Sequence, residues 1–164
     1  CTLSAALAAT ACDTGSTRAL DARQMDAYAA LLMPARIEIQ PWTRLEDRAG
    51  AAQPTAIEAL LAAYDAFDDE TKAVGTVHFE LYARRRASAD RLGERVAFWE
   101  IALDSAPALQ RFWDRSMRFY RFRLELPSGP LDPGRYILIA RLIRPDGKRL
   151  EHEFELRYGD GPLP

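Results

Sequence analysis

The chain has 164 residues, a formal net charge of −2, 48% apolar and 28% charged residues. That length favours one domain able to bury its own core, and that composition argues against global disorder. The near-neutral charge gives no reason to expect a nucleic-acid partner. The only cysteines are Cys1 and Cys12, and the only histidines are His78 and His152. From Asp13 onward the sequence therefore holds no internal disulfide, no thiolate metal centre and no His-rich zinc site.

Taken in order, Thr2 to Ala11 is uncharged, small and apolar, and is too short to span a bilayer. It reads as the end of a signal peptide, so residues 1–12 are expected to be a processing remnant. Ala9-Thr10-Ala11-Cys12 resembles a bacterial lipobox, with Ala9 where that pattern usually has Leu. The resemblance implies a lipid on Cys12 and the membrane as a partner. Ala9-Thr10-Ala11 also fits an ordinary A-x-A cleavage site, which implies secretion, and a third variant makes Cys1 the mature lipid-bearing residue. Residues 13–33 read as a tether with a short helix over residues 20–32, ended by Pro34.

A single β-sandwich domain is expected over residues 34–160. Ile37 and Ile39 alternate with Glu38 and Gln40, and Pro41 marks an edge strand or a bulge. Residues 57–64 are ambiguous. Their Ala and Leu content and helical spacing suit a helix, whereas their flanks suit a strand, which is the preferred reading. Val77, Phe79 and Leu81 then alternate as a half-buried strand. Another strand follows over residues 95–103, a helical turn begins at Pro107, and a further strand spans residues 119–126. Two last strands meet at Pro145-Asp146-Gly147-Lys148, where Gly147 supplies the positive φ.

Two stretches carry family resemblances. Residues 64–82 resemble the B-to-C connection of bacterial immunoglobulin-like surface domains, with Asp68-Asp69 where that family has Gly-Asn or Gly-Asp. Leu131-Asp132-Pro133-Gly134-Arg135-Tyr136 resembles the tyrosine-corner entry of fibronectin III-like sandwiches, which gives Tyr136 a structural role. Together with Cys12, the chain resembles a bacterial lipoprotein-type family with such a sandwich. The expected fold is an all-β, antiparallel immunoglobulin-like or fibronectin III-like sandwich with a short N-terminal helix or tether. The alternative is α+β, with residues 57–64 helical.

Candidate sites are few. Asp65, Asp68 and Asp69 could bind a metal such as Ca²⁺, although they lack EF-hand spacing and also read as a solvated turn. Arg121 and Arg123 share one strand face and form a candidate interaction patch, with salt-bridge ladders the simpler account. Trp42, Trp99, Trp113, Phe119 and Tyr120 could make a glycan platform, or could be core and loop plugs. His152 lies on the apolar side of its strand, where a histidine is more often packed than catalytic. No nucleophile-elbow, zinc-protease, phosphate-loop or dinucleotide motif is present.

The expected function is thus a non-catalytic cell-envelope lipoprotein presenting a sandwich to a protein or envelope component. No cofactor and no small-molecule substrate are identified. The alternatives are an envelope enzyme using carboxylates or a loop-bound metal, and a carbohydrate-binding sandwich. Finally, Ile137, Ile139 and Ile143 make the last hairpin apolar on its outer side too. Something must cover it, and residues 20–32 are the expected cover.

Overall fold

The structure, a computed structural model, describes residues 21–47, 53–85, 91–127 and 131–159. Cys1, Cys12 and the segment before Asp21 expected to be a signal remnant and tether lie outside the described residues. Helix α1 (Ala22–Leu32) begins at a capping box, in which Asp21 accepts from Gln24 N at 2.8 Å and Gln24 accepts from Asp21 N at 3.0 Å. Among the described residues nine strands follow: β1 (Arg36–Ile39), β2 (Arg44–Asp47), β3 (Pro54–Tyr64), β4 (Gly75–Arg84), β5 (Leu92–Leu103), β6 (Trp113–Asp114), β7 (Phe119–Glu125), β8 (Gly134–Ile143) and β9 (Arg149–Tyr158). A second helix, α2 (Ala106–Phe112), stands between β5 and β6, with Pro107 in its first turn as expected. Among the described residues no helix is long and apolar enough to cross a membrane.

The strands form two antiparallel sheets, β1-β3-β7-β6 with β2 also on β3, and β5-β4-β8-β9. Lettered along the chain, with β1 and β2 together as A, the sheets read A-B-E-D and C′-C-F-G. That is the strand order of an immunoglobulin-like sandwich, and the all-β expectation holds.

Residues 57–64 are strand, not helix, which removes the α+β alternative. Helix propensity loses here because β3 is paired on both sides, by β1 and β2 along one edge and by β7 along the other. Ile57, Ala59, Leu61 and Ala63 enter the core from its inner side. Leu60 and Ala62 pack with Phe119 on its outer side. A strand buried on both faces has no use for polar alternation.

β1 and β2 are two halves of one interrupted edge. Residues 40–43 bulge out between them, carrying Pro41, so the expected edge position is observed. Gln40 N donates to Leu60 O at 2.8 Å, and Thr43 Oγ1 accepts from Leu60 N at 3.0 Å. A side-chain hydroxyl thus replaces the carbonyl that the bulge withdraws from the ladder.

Val77, Phe79 and Leu81 from β4, Tyr120, Phe122 and Leu124 from β7, and Leu138 and Leu142 from β8 fill the space between the sheets, all essentially inaccessible to solvent. Phe79 meets Phe122 edge-on at 5.2 Å. The open sides are braced differently. On one side Trp99 Nε1 donates to Glu125 O at 2.8 Å. On the other, His152 Nδ1 accepts from Ile39 N at 3.1 Å, joining β9 to β1.

The expected cover over the last hairpin is overturned. Helix α1 buries none of its residues. Ile137 and Ile139 are nonetheless buried. They lie in register between Glu80 or Tyr82 on β4 and Glu153 or Glu155 on β9. Arginines span those carboxylates: Arg91 to Glu153 at 2.8 Å, Arg95 to Glu80 at 3.1 Å, Arg135 to Glu155 at 3.5 Å and Arg141 to Glu151 at 2.6 Å. Long side chains of this kind can cover apolar surface with their stems while the charged heads stay in water, which fits the burial of the isoleucines beneath this ionic layer. The N-terminal segment is instead fastened at the end of the sandwich. Buried Arg144 donates through Nη1 to Pro34 O at 2.7 Å and through Nη2 to Asp146 at 2.6 Å.

Candidate functional site

The acidic turn after β3 is organised around its own backbone. Asp65 Oδ1 accepts from Phe67 N at 2.8 Å and from Asp69 N at 3.1 Å. Asp68, at φ +66°, pairs with Arg36 at 2.6 Å. Among the described residues no three Asp, Glu, His or Cys side chains are gathered as a metal would require. Asp65, Asp68 and Asp69 thus sit in a turn in which two of the carboxylates already have partners.

Arg121 and Arg123 do share the outer face of β7, and both are tied to neighbours. Arg121 meets Glu58 and Asp114, each at 3.0 Å. Arg123 meets Glu125 at 2.8 Å and is also hydrogen-bonded to Glu46. Glu58, nearly buried, receives Arg44 at 2.7 Å on its other oxygen. This is the ladder account of those arginines. Tyr136 forms the expected corner, its hydroxyl donating to Asp132 O at 2.5 Å, and burial raises its pKa. His78 Nε2 lies 2.9 Å from Glu100, its ring edge-on to Phe98.

The five aromatics do not form a row. Phe119 and Tyr120 are adjacent on β7 and point to opposite faces, Phe119 into the outer cluster and Tyr120 into the core. Trp42 sits exposed on the bulge, at the far edge of its sheet from Trp113. Trp113 has a different setting. Together with Lys72, Leu109, Gln110 and Arg115 it lines an open groove of about 270 Å³ beside α2.

The groove is built on Tyr120. Its hydroxyl accepts from Ala73 N at 3.0 Å and donates to Ala73 O at 3.2 Å, which fixes the backbone next to Lys72. Burial pushes the phenol up to about 12. The Tyr120 ring meets Trp113 edge-on at 5.0 Å, so one residue positions both walls. Lys72 Nζ stands over the indole, 5.3 Å from its centroid. Just beyond, Asp114 Oδ1 accepts from Ser116 N and Met117 N at 3.0 and 3.1 Å, which sets the turn that carries Arg115. The hydrogen bond from Met117 leads the causes that lower the Asp114 pKa, and Arg121 adds to it.

The two carboxylates closest in sequence to these cations are already engaged, Glu70 with Arg118 at 3.0 Å and Asp114 with Arg121. Among the described residues neither Lys72 nor Arg115 has an ion-pair partner. Elsewhere on the sheets most outward-facing arginines are paired, as Arg121, Arg123, Arg135 and Arg141 are, while Arg149 at the start of β9 has no ion-pair partner among the described residues. Sequence reasoning named Trp113 but did not join it to Arg115 or to Lys72, which lies some forty residues earlier. The one available signal was that Lys72 is one of only two lysines.

No family model, no curated protein and no solved structure matches the chain.

Proposed function

We propose that the protein is a non-catalytic binding sandwich of the bacterial cell envelope, held at a membrane by a lipid on Cys12 and engaging a protein or envelope component. What carries the binding part is the contrast between bonded and open polar groups. His152, Asp65, Asp68, Tyr120 and Tyr136 each serve a bond that holds the fold, whereas Lys72 and Arg115 border the groove without a carboxylate. Charges left open beside an aromatic wall suit recognition. The anchoring part rests on the run of small residues before Cys12 and on the absence of any later cysteine.

Mass spectrometry of the mature protein extracted from membranes tests the anchor. The expected result is a diacylglycerol-bearing Cys12 at the N-terminus, with Cys12→Ser moving the protein to the soluble fraction. An unmodified Cys12 within an intact chain overturns the anchor.

A further inference from the structure

We propose that the groove beside α2 binds a carboxylated sugar unit of an acidic glycan. The proposal rests on the reading of the protein as a binding module and names the chemistry of its ligand.

Three properties of the groove point to that class. Its volume, about 270 Å³, lies at the small end of ligand sites and suits a single sugar ring better than a long apolar group. Its charge is one-sided. Lys72 and Arg115 have no ion-pair partner among the described residues, and Glu70 and Asp114 are held by Arg118 and Arg121. A ligand carboxylate would supply the missing partner, and Arg115 can grip one through two parallel N–H donors. The remaining lining divides into hydrocarbon and amide. Leu109 and the Trp113 indole offer an apolar wall for the C–H face of a pyranose. Gln110, exposed at the rim, carries both donors and an acceptor.

That last residue favours a sugar over an acidic peptide. Ring hydroxyls both donate and accept, so a single uronate ring can meet the amide and the cations at once, whereas an aspartate or glutamate side chain only accepts and its peptide must bring a backbone group to Gln110. The walls are also rigid. Trp113 is held by Tyr120, whose own hydroxyl is fixed by two bonds to Ala73. A ligand therefore meets a pre-formed surface and does not have to order it. Lys72 rests over the indole at 5.3 Å, a contact weak enough to be exchanged for a carboxylate.

The test uses the full chain carrying Cys12→Ser, titrated by calorimetry at low ionic strength with trigalacturonic acid, neutral maltotriose and a triglutamate peptide. Trigalacturonic acid is expected to bind best, and to weaken as salt is added. Lys72→Met should reduce its affinity about tenfold, the loss of one charge-assisted hydrogen bond, and Arg115→Met, which removes two donors, at least as much. Both side chains are exposed, so the variants are expected to keep the parent's circular dichroism. Arg149→Met, which removes an exposed cation at the start of β9, should leave the affinity unchanged.

The proposal is overturned if triglutamate binds as well as the uronate, if both groove variants bind like the parent, or if the uronate does not bind. The first outcome keeps a binding module and changes its ligand to acidic protein. Loss of glycan binding with a lipid on Cys12 removes only the ligand, and an unmodified Cys12 with binding intact removes only the anchor.

Discussion

Tyr120 and Tyr136 differ in how far away their partners are. The Tyr136 hydroxyl reaches a carbonyl four residues upstream. A local bond of that kind leaves a mark in the sequence, a Pro-Gly turn feeding a tyrosine, and the corner could be read. The Tyr120 partner is 47 residues away, and no spacing rule reports such a contact, so its tie to Ala73 could not be read. Removing the hydroxyl strands two groups on Ala73, which is fully buried. Tyr120→Phe is expected to cost about 1–3 kcal/mol in urea unfolding and to loosen the groove. The same phenol sets an alkaline limit. Its folded pKa is raised to about 12 from the ordinary 10, so its contribution is full below pH 10 and is lost as pH rises through 12. Unfolding followed against pH should show an alkaline loss that Tyr120→Phe reduces. Asp114 acts at the other end of the scale. Its pKa is lowered in the fold, so its contribution is present above the unfolded carboxylate value and disappears as pH falls through the folded one. Asp114→Asn should flatten the acid limb of the stability profile.

Elements follow the sequence where burial alternates and depart from it where pairing takes over. β4 and β7 show the two-residue period, because each buries one face and leaves the other half-buried or exposed, apart from Phe119, which is buried on the outer side of β7. β3 does not, since both its faces are covered, and its alanines and leucines could be placed only by asking what flanks them. The groove was illegible for a related reason. Its walls come from the β3–β4 connection and from the continuous run of α2, β6 and the turn after it, two pieces that topology alone brings together. Gly75 shows how tight one of these joints is. It opens β4 at φ +138°, and an added Cβ would stand 2.2 Å from Ile143 O on β8. Both the backbone conformation and the space demand glycine. Gly75→Ala should cost on the order of 2 kcal/mol or more, measured by thermal or urea unfolding, because a carbonyl in the ladder cannot move aside.

At the scale of the molecule, Arg144 decides where the domain begins. It is buried at the tip of the β8–β9 hairpin and holds the carbonyl of Pro34, the residue before which α1 ends. Arg144→Met leaves that carbonyl and Asp146 without their donor. It should lower stability by about 1–3 kcal/mol, and limited proteolysis should cut faster between α1 and β1. The sequence carried a hint of this arrangement, an apolar hairpin that needed a cover, but pointed to the wrong covering group. Paired arginines and glutamates are roofing material as well as surface charge, and composition alone does not say which role they take.

The bond between Ile39 N and His152 has a consequence for the order in which the chain is finished. It links the first strand to the last across 113 residues, and the clamp on Pro34 spans a similar distance, 110 residues. Neither can form until the chain has been made through β8 and β9, and loops that long close slowly. A nascent chain therefore lacks the strand that seals its first edge until β9 has been made. For a protein that must be threaded unfolded across a membrane, as the proposed anchor at Cys12 requires, late closure is an asset. The seam between β1 and β9 would thereby hold back closure of the sandwich until β9 is available.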